Sequence, residues 1–226
     1  MDLNELKYYA PLVLNGVFIT IALMVCSLVM GLLLSSVLTA LSFLKFKPLN
    51  FIIWLYTFII RGTPLLVQIF LIYYGSAQFE CIRNSFLWHF LKSGFGCTVI
   101  ALSLNSSGYC VVLFRGLVKS IPQGEFDACL SLGMSKIQMI YSVILSRLIR
   151  IAIPSYSNEV AIILKSTSLA STITIMDLMG VTKFLISATY ATLPCLFLAG
   201  CIYLLINFLI IKLYSLSLKK IYTLRI

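Results

Sequence analysis

The apolar run from Pro11 to Leu44 limits the fold more than any other part of this sequence. A helix needs roughly 20 consecutive apolar residues to cross the hydrocarbon core of a bilayer, and this run is long enough to cross with tilt. Further runs extend from Leu49 to Gly75, from Cys97 to Val118 and from Phe184 to Tyr214. Another span is expected to begin near Pro154 and run through Leu164, where Pro154 breaks an amphipathic segment. The composition fits a lipid solvent. Of the 226 residues 61% are hydrophobic and 11% are charged, whereas a soluble domain carries about 25% charged residues. The reading is an all-α membrane protein with about five transmembrane helices in a single domain, residues 1–226.

The charges lie between the apolar runs. A net charge of +10 can signal nucleic acid, but no basic patch is interleaved with exposed aromatics, and positive-inside loops account for the excess. With five spans and the amino terminus outside, the inner side holds Lys45, Lys47, Arg115, Lys119, Lys136, Arg147, Arg150, Lys212, Lys219, Lys220 and Arg225. The outer side holds only Lys7, Arg83, Lys92, Lys165 and Lys183. Arg61 is left within a span. Met1 to Lys7 lacks a basic n-region and a cleavage site, so the first run is expected to be a retained helix. The seven cysteines form no CxxC pair and fall mostly in apolar runs, which argues against a metal site. Cys81 and Cys97 could bridge one external loop.

Lys119 to Arg150 is the least hydrophobic stretch. It contains Gln123-Gly124-Glu125-Phe126-Asp127-Ala128, then Leu132-Gly133, and Ile153-Pro154 follows. A short helix over about Gly124 to Leu132 would stop at Gly133, which can take the left-handed conformation. A second helix, Ser135 to Ile153, would lead back to the bilayer. This arrangement resembles the EAA loop of ABC importer permeases, here about residues 122–154, although Phe126 and Asp127 interrupt the Glu-Ala-Ala start. Three other stretches resemble polar amino-acid permeases of that family. They are Arg61-Gly62-Thr63-Pro64-Leu65-Leu66-Val67-Gln68, then Ala101-Leu102-Ser103-Leu104-Asn105-Ser106 with Tyr109, and Lys165-Ser166-Thr167-Ser168-Leu169. TPLLVQIFLIYYG from Thr63, Leu87-Trp88-His89, LGMSK from Leu132 and SYSNEV from Ser155 look like the M-type subunits of arginine importers of Gram-negative bacteria.

The resemblance implies a type I importer transmembrane domain in the bacterial inner membrane. It also implies two ATPase subunits, a second permease subunit that is a paralogue, and a periplasmic binding protein. Glu125, Asp127, Ala128 and Gly133 would form the elbow that an ATPase grips. The sequence holds no Gly-x-x-x-x-Gly-Lys-Ser/Thr, so ATP is expected on the partner, with no cofactor or metal on this chain and no enzymatic activity. Lys165 and Ser166 are adjacent and do not share a helix face, which counts against a Ser/Lys protease dyad. His89 beside Trp88 reads as an interfacial residue. The alternative is a proton-coupled carrier with Glu159 and Asp177 as its buried acids.

Charges within spans usually line a pathway. Thr63 is a suitable N-cap and Pro64 a suitable first helical residue. A half-helix starting there, beside Arg61, would offer N–H groups to a carboxylate. Asn158 and Glu159, with Lys165 and Ser166 further on, are the candidates for a cationic side chain. The competing reading of Arg61 is a structural kink with an internal partner, and that of Glu159 is an ion pair within the protein.

Overall fold

The computed structural model describes residues 3–223, and every regular element among them is helical. The termini and Arg225 lie outside the described residues. Helix α1 (Leu3–Ser42) is followed by α2 (Lys47–Gly62) and α3 (Leu65–Phe70), which continues as a wide π turn over Leu71–Gly75. Two short helices, α4 (Glu80–Arg83) and α5 (Trp88–Leu91), precede α6 (Gly94–Lys119). Next come α7 (Gln123–Ser131) and α8 (Lys136–Gln138), whose π turn Met139–Ile144 leads into α9 (Leu145–Ser166). A 3-10 turn (Thr167–Thr172), α10 (Leu178–Thr189) and α11 (Thr192–Thr223) complete the order.

Four stretches are long and apolar enough to cross a membrane: Tyr8–Ser42, Gly94–Lys119, Met139–Thr172 and Thr192–Leu216. The pair α2–α3, bent by 107°, supplies a fifth if it counts as one span. Two expected boundaries move. Pro154 does not begin the fourth span. It lies inside α9, exposed, and the helix runs through it from the π turn onward, because one missing N–H removes a single bond from a long spanning helix. The last run does not start at Phe184, which belongs to α10. Tyr190 takes a left-handed conformation (φ 56°) and closes α10 with its N–H on the Ile186 carbonyl, so the final helix starts at Thr192.

Helix α6 is the axis of the bundle. Its most apolar window is 67% buried, against 28% for the first span and 11% for the last. It packs on α1, α2, α3 and α9. Lipid gives helices no hydrophobic reason to associate, so their contacts depend on small residues and polar groups. At Gly31 of α1 an added Cβ would stand 3.2 Å from the Ser103 carbonyl oxygen, and at Gly108 of α6 it would meet Ile60 Cγ2 at 2.7 Å. Ser103 Oγ donates to the Val99 and Ser27 carbonyls, the latter on α1. Tyr56 of α2 donates to the Leu104 carbonyl at 2.9 Å and touches the Ser107 hydroxyl. Met24, Leu102, Val160, Ile163 and Leu164 fill the space among α1, α6 and α9.

The start of α10 is fixed within this packing. Asp177 is fully buried and caps α10, accepting from the Gly180 N–H at 3.0 Å and the Met179 N–H at 3.3 Å. Tyr203 of α11 donates to the same carboxylate at 3.4 Å. Thr20 of α1 accepts from the Leu178 N–H at 3.0 Å and donates to the Gly16 carbonyl.

Candidate functional site

The candidate coupling residues occupy the turn between α7 and α8. Helix α7 ends in a paired closure: the Gly133 N–H reaches the Leu130 carbonyl at 2.9 Å, and the Met134 N–H reaches the Cys129 carbonyl at 3.1 Å. This Schellman arrangement needs a left-handed residue after the C-cap, and Gly133 supplies it with φ +71°. Ser135 then starts the next helix. Its Oγ accepts from the Gln138 N–H at 3.3 Å, while Gln138 Oε1 accepts from the Ser135 N–H at 2.9 Å. That reciprocal pair is a capping box. The Ser-x-x-Gln spacing at 135–138 is the local sequence signal for it.

Cys129 and Ile121 are buried and anchor α7. Glu125 makes an ion pair with Arg147 on α9, joining the elbow to the following span. Asp127, Ala128 and Gly133 are solvent-exposed together with Leu130 and Leu132, the last 80% exposed. The elbow therefore presents an apolar tip on a rigid, doubly capped turn.

The candidate pathway residues separate. Arg61 is exposed in the last turn of α2, with its guanidinium 5.4 Å from the centre of the Tyr109 ring. Among the described residues it has no acidic partner. Thr63 does not cap α3. Pro64 is the N-cap, with extended ψ of 133°, and the helix begins at Leu65. The Thr63 hydroxyl instead donates back to the Ile59 carbonyl at 2.9 Å, on the helix it has just left. Gln68 holds the break. Its Nε2 donates to the Ile60 carbonyl and to Thr63 Oγ1, each at 2.8 Å, and its Oε1 accepts from Asn105 Nδ2 at 3.1 Å. Gln68 and Asn105 both stand in the motifs quoted above, but their pairing across 37 positions carries no local signal.

Glu159 lies in α9 and is 8% exposed. It stands beside Cys110 of α6 and is hydrogen-bonded to the Ser106 hydroxyl, and its Oε1 has no hydrogen-bond partner among the described residues. No ion pair ties it to Lys165, which is exposed on another side of the helix, as is Asn158. Ser166 is half-buried at the end of α9. Arg61 and Glu159 meet α6 at the same height, at Gly108–Tyr109 and at Ser106–Cys110 respectively. The two faces are roughly a third of a turn apart. Asp177, by contrast, has its two oxygens committed to amide donors and a phenol. Cys81 and Cys97 are both free thiols, with Cys97 Sγ donating to the Leu91 carbonyl.

Residues 27–221 match the family described as binding-protein-dependent transport system inner membrane component. The chain belongs to this family. It is 40% identical over 203 residues to the octopine transport system permease protein OccM of Rhizobium radiobacter, covering 90% of this chain and 83% of that one. It is 41% identical over 201 residues to the histidine/lysine/arginine/ornithine transport system permease protein HisM of Salmonella typhimurium, covering 88% and 86%. The solved structure of an amino acid ABC transporter with histidines superposes with a TM-score of 0.85 at 28% identity, over 97% of this chain and 99% of that one. The type I importer fold and the resemblance to amino-acid permeases therefore hold over most of the chain. This inner-membrane family component is a transport subunit rather than an enzyme.

Proposed function

We propose that this chain is the permease subunit of an importer for cationic amino acids, arginine foremost, and that Glu159 receives the cationic end of the substrate. The observation that carries this reading is a carboxyl group enclosed in the helix bundle with one oxygen unpartnered. A buried carboxylate with one oxygen on the Ser106 hydroxyl and no ion-pair partner among the described residues is costly, and a guanidinium with its five donors would relieve that cost. The relatives' names support the class of cargo: one set includes arginine, lysine and ornithine, and octopine is an arginine derivative. Arg61, free of any acidic partner among the described residues, suits the carboxylate end, with Thr63 at the adjoining break and Asn158, Lys165 and Ser166 along the route past Glu159.

In this reading the amino terminus faces the periplasm and the carboxyl terminus the cytoplasm. The α7–α8 elbow, through Glu125, Asp127, Ala128 and Gly133, docks on an ATPase subunit. ATP stays on two such partners, a paralogous permease completes the pore, and a periplasmic binding protein delivers the substrate. Glu159→Gln keeps the side chain's shape and removes its charge. Losing a buried charged partner costs on the order of 2–5 kcal/mol, so arginine uptake into vesicles containing the assembled complex should fall by more than tenfold while basal ATPase activity persists. Undiminished arginine uptake by this variant would refute the assignment, and collapse of the complex would instead mark Glu159 as structural.

A further inference from the structure

A cleft of about 400 Å³ opens between α7 and the beginning of the fourth span, lined by Glu125, Ser142, Val143, Ser146, Arg147, Arg150 and Ile151. The span Met139–Thr172 has 34 residues. At 1.5 Å per residue it is about 51 Å long, well beyond the roughly 30 Å of the hydrocarbon core. Its first dozen residues, which carry the cleft, therefore have room to lie at headgroup depth. Residues 142, 146 and 150 follow one another at intervals of four and form a row Ser-Ser-Arg along the helix. Residues 143, 147 and 151 form the parallel row Val-Arg-Ile.

The polar groups of the first row are uncommitted. Ser155 and Ser157 of the same helix bond back to the Ile151 and Pro154 carbonyls, but the hydroxyls of Ser142 and Ser146 make no hydrogen bond among the described residues. Arg147 is held by Glu125, whereas Arg150 has no acidic partner among the described residues. The π turn Met139–Ile144 sits immediately ahead of and partly within the row, and such turns frequently mark functional sites. Beside the cleft the exposed side chains are apolar: Ile140, Tyr141, Leu145 and Ile149.

We infer that this cleft binds a phosphate-type anion, with the Arg150 guanidinium and the Ser142 and Ser146 hydroxyls as its donors. Arg147 and Glu125 face each other across its wall as an ion pair whose charges cancel, which leaves Arg150 as the net positive charge of the cleft. Guanidinium and hydroxyl donors suit phosphate oxygens, and the apolar rim suits the glycerol and acyl region of an anionic phospholipid. Free phosphate offers the same oxygens without needing that rim.

The test uses the permease assembled with its ATPase subunits in nanodiscs of equal parts phosphatidylglycerol and phosphatidylcholine, with retained lipid counted by native mass spectrometry. A parallel arm uses phosphatidylcholine alone and measures binding of radiolabelled inorganic phosphate. Arg150→Gln and the double variant Ser142→Ala/Ser146→Ala probe the site, and Lys92→Gln in the loop preceding α6 is the control. A basic residue near a membrane surface contributes about fivefold to binding of an anionic lipid. Wild type and Lys92→Gln are expected to retain phosphatidylglycerol preferentially, and Arg150→Gln to lose about fivefold of that preference, with the serine variant also reduced. Phosphate binding in the second arm that is lost in the same variants would assign the site to a soluble anion. No anion binding in either arm, or binding unaffected by both variants, would overturn the inference.

Discussion

Gly133→Ala offers a clean test of the elbow because the structure isolates one physical effect. No atom lies within 4 Å of where the new Cβ would stand, so the substitution adds a methyl group to open space without a clash. What remains is the backbone: φ is +71°, and a left-handed conformation costs an ordinary L-residue roughly 1–2 kcal/mol. That corresponds to a shift of about 5- to 30-fold in the population of the closed turn. The Schellman bonds of Gly133 and Met134 would loosen, and the exposed tip at Leu130 and Leu132 would lose its fixed direction. The assay is substrate-stimulated ATPase activity of the purified complex, with uptake measured in parallel. Gly133→Ala should keep the permease in the membrane and reduce stimulation severalfold, and Gly133→Val should reduce it further, because a β-branched residue tolerates this region least. Gly133→Asn should stay close to wild type, since Asn visits the left-handed region more readily. Equal stimulation in the Ala, Val and Asn variants would show that the turn's conformation does not govern coupling.

Other outcomes follow from features at different ends of the bundle. Gln68→Leu should destabilise the protein by about 1–3 kcal/mol, because the Ile60 carbonyl and Asn105 amide lose their partner in a buried setting, and hydrogen exchange should rise first around the α2–α3 break. Glu125→Lys should uncouple ATPase stimulation, and the exchange Glu125→Lys/Arg147→Glu should restore part of it if the ion pair positions the elbow; no restoration would leave Glu125 acting through another contact. On a cysteine-free background, Phe79→Cys should react with an impermeant thiol reagent from outside, and Tyr222→Cys only after permeabilisation. Reaction of both from the same side would refute the five-span orientation.

The long spans were readable because lipid imposes a length of apolar sequence that few other environments demand. The elbow was readable because its stop depends on one residue, Gly133, whose conformation follows from its chemistry. The end of α10 was not, since Tyr190 adopts a left-handed turn that its side chain does not advertise. Pro154 is the opposite case: a residue that ends helices in water sits exposed inside α9, whose later residues Tyr156, Val160, Ile163 and Leu164 are the ones that pack into the bundle. Thr63 has the chemistry of a cap and precedes Pro64, yet its hydroxyl turns back to α2 and Gln68 takes over the break. Long-range partners such as Glu125 with Arg147, and Gln68 with Asn105, depend on how the helices come together, which no local pattern encodes. Arg61 and Glu159 were found as in-span charges, but their placement on separate faces of α6 needed the bundle itself.

The burial of α6 has a consequence for the membrane this protein can inhabit. A helix enclosed by its neighbours hardly touches acyl chains, so bilayer thickness reaches it only through the helices around it. Hydrophobic mismatch is absorbed by tilt or local bilayer deformation at modest cost per ångström, and here α1 and α11, with their broad apolar exteriors, would take up that adjustment. The polar groups along α6 would then keep their spacing in thick and thin bilayers alike. An axis screened in this way gives the route beside it a constant geometry in a solvent whose dimensions vary with growth temperature and lipid supply.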